Sequence, residues 1–302
     1  METFDWFGFI SLGAIWGSSF VFMRILAPVL GAVPTACLRV LISGSVLLCY
    51  FAFAKVKIDL KKNFRHYFMM GLLNAAFPFL FFAFAALHIP AGLSVILNGT
   101  APLFTVILAV IFLSEKITFY KILSLTLGTI GVFLIAIRGA FVFDEFSGLA
   151  IIAGLGAACC YGLGGIYMKK ASTNIHPVTM TGVSQFMGGL VVLPFAILRW
   201  INHPNTPADF TPAVIGSLLM LSLLCSGTAF VIFYKLIERV GPSKAVTVAY
   251  LIPVFGILWG CLFLGENVTL SMMCGCIFIL LGIRASTLRG HVPRTTRPRS
   301  NT

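Results

Sequence analysis

The sequence predicts an all-α integral membrane protein with ten transmembrane helices, arranged as two five-helix repeats of inverted topology around a central cavity. Three observations support this fold class. Of the 302 residues, 59% are hydrophobic and only 10% are charged, whereas roughly a quarter of the residues in a soluble domain are charged. Ten apolar stretches are long enough to cross a bilayer, and the two halves of the chain share a repeated pattern. A water-soluble fold is therefore excluded.

The apolar stretches set the order of the predicted helices. A hydrocarbon core about 30 Å thick takes about 20 apolar residues of helix, and a backbone in lipid must satisfy its own hydrogen bonds. The predicted spans are residues 6–26, 33–54, 67–87, 91–113, 119–138, 148–168, 177–199, 213–236, 242–264 and 269–287. The connections between spans are short except at residues 55–65 and 200–212, so we expect no inserted soluble domain.

Basic residues are distributed unevenly between the two sides of the predicted membrane. The connections on the side of the chain ends hold 17 Lys and Arg residues, whereas the opposite side holds only Arg24, Arg138 and Arg199. Because cytoplasmic connections carry the excess of Lys and Arg, this bias predicts a multi-pass protein of the cell (inner or plasma) membrane with both termini cytoplasmic. Asp5 before the first span and Arg24 after it favour the reverse orientation locally, but the global bias outweighs them.

An internal repeat divides the chain into two halves. Residues 90–118 match residues 241–269 at a constant offset of 151, and upstream the offset is 145, where Trp16 corresponds to Tyr161. A repeat of this length is the signature of a duplicated structural unit. Each half therefore contains five predicted helices. The first half comprises residues 1–143 and the second residues 144–288, followed by a basic cytoplasmic tail, residues 289–302, that we expect to be disordered.

Because five is an odd number, the second half must enter the membrane from the opposite side. The charges agree with this inversion, since Lys116 and Lys121, predicted inside, correspond to the uncharged Asn267 and Met272, predicted outside. Inverted repeats of this kind are typical of secondary transporters, in which the substrate site lies between the halves.

The repeated blocks also resemble a known family. Both blocks carry a proline followed by Glu-x-x-Thr, the first span contains WGSSF at residues 16–20, and the second span contains Arg39. Together these features resemble EamA-type members of the drug/metabolite transporter superfamily, from about residue 7 to residue 284. The resemblance implies two five-helix halves around a central cavity and movement of small metabolites, often outward across a bacterial inner membrane. The chain departs from the family pattern at Ser114, where glycine is usual, and at Tyr161, where the first half has tryptophan.

Arg39 is the most informative candidate for substrate binding. A cation within a span costs roughly 2.5 to 3.5 kcal/mol on insertion scales and needs a partner or a wet cavity. One interpretation is that Arg39 binds an anionic group of the substrate. The alternative is a structural role, in which the side chain reaches the interface or clamps a neighbouring carbonyl.

Pro102 and Pro253 are matched in the two halves and are predicted hinges. A proline inside a helix removes a backbone hydrogen bond and its ring clashes with the preceding turn, so both helices should be weakened there. Asn98 and Tyr250 lie about one turn before these prolines and are further substrate-binding candidates. A static packing kink is the alternative interpretation.

The remaining candidates are polar or amphipathic residues inside the predicted spans: Trp16, Ser19, Asn74, Tyr161, Gln185 and Tyr234. Each one could instead make a hydrogen bond between helices or lie at the membrane interface. Together they predict an aromatic and mostly uncharged cavity. Such a cavity suits a small amphipathic metabolite, such as an amino acid or derivative, better than a sugar phosphate.

Other function classes have weaker support in the sequence. None of the nine acidic residues lies in the middle of a span, which favours a facilitator, an exchanger or a weakly coupled carrier over a dedicated proton pump. The five histidines and eight cysteines show no metal-ligand spacing, and no phosphate-binding loop motif occurs, so we expect no cofactor or metal and no enzyme activity. A membrane receptor or structural protein is the main alternative, and an integral-membrane enzyme is a weaker one.

The expected partners are a small-molecule substrate and the lipid bilayer, without nucleic acid. Small residues spaced four apart, as at Gly13 and Gly17, supply faces for close helix contact. These faces leave a homodimer open, although a monomer would suffice for the predicted activity.

Overall fold

A computed structural model describes residues 3–138, 146–171, 175–240, 245, 248–249 and 251–287 of the chain. Throughout these ranges every regular element is helical, and ten helices follow one another along the chain, as predicted. The helical state follows from composition, because an apolar segment in lipid can satisfy its backbone polar groups only within itself or in a closed barrel.

The helix bounds agree with the apolar stretches of the sequence to within about four residues, except that α3 begins seven residues before its predicted span and that α9 is described only from Leu251. The first five helices are α1 Thr3–Leu30, α2 Ala32–Phe53, α3 Leu60–His88, α4 Ala91–Leu113 and α5 Phe119–Arg138. The next two are α6 Ser147–Ala171 and α7 Pro177–Asn202. The last three are α8, with the consecutive pieces Pro212–Leu219, Met220–Thr228 and Ala229–Val240, then α9 Leu251–Leu264 and α10 Leu270–Thr287. Residue 242, where the sequence predicts the start of α9, lies outside the described residues.

Seven of these helices are long and apolar enough to cross a membrane, namely α1 to α4 and α6 to α8. The other three contain shorter apolar stretches, Phe119–Leu134 in α5, Leu251–Leu264 in α9 and Leu270–Gly282 in α10. The chain is therefore a multi-pass membrane protein in which no soluble domain interrupts the described helices.

Three helices depart from regular α-helical geometry. A π-helical segment, Leu72–Ala76, interrupts α3, and a longer one, Met220–Thr228, forms the middle of α8. The segment in α3 has a local cause, because Pro78 cannot donate a hydrogen bond to the carbonyl of Asn74 four residues earlier. Helix α4 is interrupted at Gly99 and Thr100, between its pieces Ala91–Asn98 and Ala101–Leu113.

Helices α5 and α10 pack closely and run antiparallel. A Cβ atom at Gly131 would lie 2.7 Å from the carbonyl oxygen of Gly275, and one at Gly282 would lie 2.8 Å from that of Ser124. Residues later in α5 therefore contact residues earlier in α10. The absence of side chains at the two glycines allows the backbones to touch, which is how helices associate in lipid.

Helices α2 and α7 form a second close antiparallel pair. A Cβ atom at Gly44 would lie 2.5 Å from the backbone nitrogen of Phe186, and one at Gly189 would lie 2.6 Å from side-chain atoms of Leu41. This pair matters for function because α2 carries Arg39 and α7 carries Gln185.

Candidate functional site

The candidate site is centred on the guanidinium of Arg39, which is only 4% exposed. Its Nε donates a hydrogen bond of 2.8 Å to Ser226 Oγ on α8, and its Nη1 lies 3.5 Å from the sulfur of Met23 on α1. Its Cζ lies 3.8 Å from the centroid of the Phe79 ring on α3, a cation–π contact. Among the described residues, these contacts include no carboxylate. Arg39 is therefore a buried cation held by a hydroxyl, a thioether and an aromatic face.

Ser226 joins Arg39 to Gln185. Gln185, 3% exposed, donates from Nε2 to the backbone carbonyl of Ser226 over 3.1 Å. The Ser226 hydroxyl in turn donates to the carbonyl of Leu221, five residues earlier in the π-helical segment of α8. The wider π turn places both the hydroxyl and the carbonyl of Ser226 toward neighbouring helices, and such segments are frequent at functional sites. The cluster thus connects α2, α7 and α8.

Aromatic rings cover the other side of Arg39. Tyr161 of α6 packs against the cluster of buried α2 and α3 side chains that includes Phe79. The Tyr161 ring also stacks on Phe82 with a centroid distance of 6.5 Å, and Phe82 meets Phe20 edge to face at 5.2 Å. The site therefore combines one cation and a few hydrogen-bonding groups with an aromatic wall.

Several buried polar atoms near these elements lack a hydrogen-bond partner within the described part of the chain. They are Gln185 Oε1, Asn74 Oδ1, Ser43 Oγ and Ser222 Oγ. Ser43 lies next to the π-helical segment of α8, since its Oγ would be 3.9 Å from a Cβ at Gly227. Buried polar atoms without protein partners are usually satisfied by ordered water or a ligand. These atoms therefore retain the capacity to accept a hydrogen bond from water or a polar solute.

Two of the predicted binding residues have partners elsewhere. Trp16 packs against Phe230 and Phe233 of α8, with ring centroids 5.6 and 5.2 Å away. Ser19 donates to the carbonyl of Trp16 in its own helix over 2.8 Å. The structure thus brings Arg39, Gln185 and Tyr161 together, whereas the polar groups of α1 are mostly satisfied within the helix.

The predicted hinge in α4 lies beside its interruption. Pro102 has no N–H to donate to the carbonyl of Asn98, which ends the first piece of the helix. Gly99 faces α9, since its Cβ would lie 3.6 Å from Cγ of Pro253. Pro253 therefore contacts α4 about one turn before Pro102. Tyr250 falls outside the described residues, as does the side chain of Tyr234 in α8.

A cavity of ≈ 330 Å³ lies at a different place, between α4, α5 and α6. Its lining is mainly apolar and includes Leu103, Phe104 and Val132, and its described part contains none of the predicted binding residues. The polar cluster rather than this cavity is the candidate site, because only the cluster offers the hydrogen bonding and charge that orient a polar metabolite.

Sequence reasoning missed Ser226, Phe79 and Met23, although they hold Arg39. Phe79 and Met23 are ordinary residues of an apolar helix and gave no signal. Ser222 and Ser226 are four residues apart in an otherwise apolar stretch, a spacing that could have indicated a polar helix face. Within the described residues, no group of His, Cys, Asp and Glu could hold a metal ion.

The chain matches known transporters over nearly its whole length. The model of the EamA-like transporter family matches residues 6–137 and 148–288. The uncharacterized transporter YoaV of Bacillus subtilis is 25% identical over 93% of this chain and 95% of its own. A Salmonella typhimurium protein named "Probable amino-acid metabolite efflux pump" is 24% identical over 96% and 97%.

A solved crystal structure shares the fold. That protein is 15% identical, and the superposition has a TM-score of 0.59 over 95% of this chain and 98% of the other. The family match covers both halves of the helical bundle and includes Arg39 and its partners. The chain belongs to the EamA-like transporter family.

Proposed function

We propose that this protein is a secondary transporter that exports or exchanges a small amphipathic metabolite, such as an amino acid or derivative, by alternating access. The observation that carries the proposal is the contact set of Arg39, a buried guanidinium with no carboxylate among its described partners. A buried cation without a counterion is costly in a membrane, and ionisable residues within spans mark substrate and ion pathways. The anionic group of the substrate would supply the missing charge, since guanidinium and carboxylate form strong paired hydrogen bonds.

The transport cycle requires two halves that move relative to each other, and we assign them to residues 1–143 and 144–288 in inverted orientation. The contacts of equivalent glycines support this assignment. Gly17 of α1 lies against Gly256 of α9, and Gly162 of α6 lies against Thr105 of α4. These two contacts correspond under the sequence offsets of 145 and 151. The antiparallel pairs α2 with α7 and α5 with α10 also fit a two-fold relation, and the family match falls into two ranges of similar length.

We place both termini in the cytoplasm and the protein in the inner or plasma membrane. The bias of 17 Lys and Arg residues against three supports this orientation. On this assignment Arg39 lies in the outer third of α2, within reach of the exit side.

In the proposed cycle, the substrate carboxylate binds Arg39 and competes with Ser226 for its donors. Gln185 Oε1 and Asn74 Oδ1 accept hydrogen bonds from a donor group such as an ammonium, and the rings of Phe79 and Tyr161 contact the apolar part. Because Ser226 belongs to the second half and Arg39 to the first, binding would weaken a contact between the halves. The interrupted helix α4 at Pro102 and the matched Pro253 would absorb the bending.

The test compares metabolite export by the wild type, Arg39→Gln and Arg39→Lys. Metabolites are profiled in the medium of cells that produce each variant, and transport of the most enriched compound is then measured in proteoliposomes. We expect Arg39→Gln to lower the transport rate by about a hundredfold, because the variant loses one charge-assisted hydrogen bond to the substrate. Arg39→Lys should retain part of the activity at weaker substrate affinity, because lysine keeps the charge but loses the planar fork.

Arg199→Gln is the matched control, because Arg199 lies at the end of α7 and donates to the carbonyl of His203 outside the cluster. It should transport like the wild type. Unchanged transport by Arg39→Gln at normal membrane abundance would contradict the proposed role of Arg39.

A further inference from the structure

Helix α3 is longer than the membrane is thick, and its excess lies at its N-terminal end. Its 29 residues span about 44 Å, against a hydrocarbon core of about 30 Å. Helix α2, with 22 residues, spans about 33 Å and therefore ends near the edge of the hydrocarbon at Phe53. The connection after α2 and the first turns of α3, residues 60–68, thus lie at the depth of the lipid headgroups.

This segment is strongly basic. It exposes five cations and contains one acidic residue, Asp59. The cations are Lys55, Lys57, Lys61, Lys62 and Arg65. Four to eight Lys and Arg residues next to a transmembrane helix are typical of segments that bind anionic lipids.

The same surface also carries exposed apolar side chains. Phe53 is 88% exposed and Phe64 is 54% exposed, and Leu60 precedes Phe64 by one helical turn. Phe64 stacks on Phe68, so Leu60, Phe64 and Phe68 form an apolar stripe along α3. Lys61 and Arg65 form a cationic stripe directly beside it, because they too are four residues apart. We call the five cations together with Phe53, Leu60 and Phe64 the basic interface patch.

The next turns of α3 are fixed to the bundle. Tyr67 and Met70 are buried against side chains of α7, and His66 Nδ1 lies 2.9 Å from the hydroxyl of Tyr167 on α6. The orientation of the basic interface patch is therefore set by packing, and the patch faces away from the protein. A surface with an apolar stripe beside a cationic stripe fits the boundary between acyl chains and phosphates.

We propose that the basic interface patch binds the headgroups of anionic phospholipids, with Leu60 and Phe64 in the acyl boundary and the cations at the phosphates. The five cations of the patch favour anionic over zwitterionic phospholipids, because zwitterionic lipids carry no net negative charge. The cytoplasmic orientation proposed above would place the patch on the leaflet that carries anionic lipid. The inference needs only the membrane location of the chain and does not depend on the transported substrate.

The test measures lipid binding to the full-length protein by native mass spectrometry in a neutral detergent. The protein is titrated with dioleoylphosphatidylglycerol and, separately, with dioleoylphosphatidylcholine. We expect the wild type to bind phosphatidylglycerol about tenfold more tightly, and the triple variant K61Q/K62Q/R65Q to lose this preference. The single variants K61Q and R65Q, which leave most of the patch in place, should each lower the preference by about twofold, so the result does not depend on the triple variant folding.

Two matched variants separate the patch from total charge. The charge-preserving variant K61R/K62R/R65K should keep the preference, and so should R289Q/R294Q/R297Q, which removes three cations from the tail. The proposal is overturned if the wild type shows no preference or if the tail variant loses it as completely as the patch variant. Displacement of the lipid by millimolar glycerol 3-phosphate would also overturn it, because that result would identify a site for a small phosphate.

Discussion

The loops that follow α4 and α9 have the same backbone, yet their glutamates bind different partners. In each loop the first residue after the helix has a positive φ, 53° at Ser114 and 63° at Gly265. The next residue is a glutamate, Glu115 or Glu266. Its N–H donates to a carbonyl six residues earlier, over 3.3 Å in the first loop and 3.2 Å in the second. The repeat in the sequence therefore reproduces the local conformation.

In the second loop, the carboxylate of Glu266 caps another helix. Its two oxygens accept hydrogen bonds from the backbone N–H groups of Ala91, over 2.7 Å, and Gly92, over 3.0 Å. These groups are the first two of α4, whose N-cap is Pro90 and supplies no side-chain hydrogen bond. A carboxylate at this end also interacts favourably with the helix dipole. Glu266 thus connects the second half to the first.

In the first loop, the carboxylate of Glu115 instead pairs with two lysines. Lys121 at the start of α5 and Lys169 at the end of α6 each place Nζ 2.9 Å from one of its oxygens. The side chain of Glu115 is 36% exposed, so these ion pairs are partly solvated.

The residues around the two carboxylates differ in the described part of the chain. A Cβ atom at Gly260 would lie only 2.6 Å from Glu266 Oε2, so a side chain there would make the carboxylate shift. The equivalent residue in the first half, at the offset of 151, is Ala109, which carries the methyl group that Gly260 lacks. In addition, Met272 stands where the first half has Lys121. A repeated sequence therefore fixes the loop, whereas neighbouring side chains decide what the loop binds.

Removal of the cap should have the largest effect. Glu266→Ala leaves two backbone N–H groups of α4 without an acceptor, and we expect the free energy of unfolding to fall by about 3 kcal/mol. Unfolding is followed by tryptophan fluorescence in mixed detergent micelles. Hydrogen exchange of the backbone amides of Ala91 and Gly92 is measured in the same micelles. Glu266→Gln should lose less, because its amide oxygen can still accept one bond. A fall below about 0.5 kcal/mol for Glu266→Ala, the range of neutral surface changes, would show that the cap is not stabilising.

Gly260→Ala should have the next largest effect, because it gives α9 the methyl group that Ala109 gives α4. The added carbon would displace the carboxylate from Gly92, and we expect a loss of about 1 kcal/mol. Gly165→Ala is the matched control in α6, since no atom lies within 4 Å of its Cβ position. That variant should be stabilised by about 0.5 to 1 kcal/mol, the ordinary advantage of alanine in a helix. Equal effects of both variants would contradict the steric explanation.

The sequence predicted the helices better than the contacts between them. The bounds of α2, α4 and α5 could be predicted to within about a residue because apolar runs end at charged or turn-forming residues. The π-helical segment of α8 could not, since an apolar stretch in lipid gives no periodic signal that separates α from π geometry.

For the site, Arg39 could be found because a charge inside a span is conspicuous. Its partner Ser226 could be suspected only from its spacing with Ser222, because a serine in a membrane helix usually bonds to its own backbone, as Ser19 does. The partners of Glu266 could not be predicted either, because they are backbone N–H groups at the start of α4, which have no signature in the sequence.

Removal of the negative charge of Glu115 should have the smallest effect on stability. Glu115→Gln removes two partly solvated ion pairs, and we expect the free energy of unfolding at neutral pH to fall by about 0.5 kcal/mol. Hydrogen bonds from Lys121 and then Lys169 hold the pKa of the Glu115 carboxyl below its usual range. The stabilisation is therefore present above the ordinary glutamate pKa of about 4.3 and is lost as the pH falls through the lower pKa of the folded state.

Wild type and Glu115→Gln should consequently converge in stability in acid, and high salt should reduce their difference at neutral pH. Glu266→Gln serves as the comparison, because hydrogen bonds to backbone N–H groups are less sensitive to salt than solvated ion pairs. If salt reduces the effect of both variants equally, the two glutamates act by the same electrostatic mechanism. The contrast between a helix cap in one half and an ion pair in the other would then be wrong.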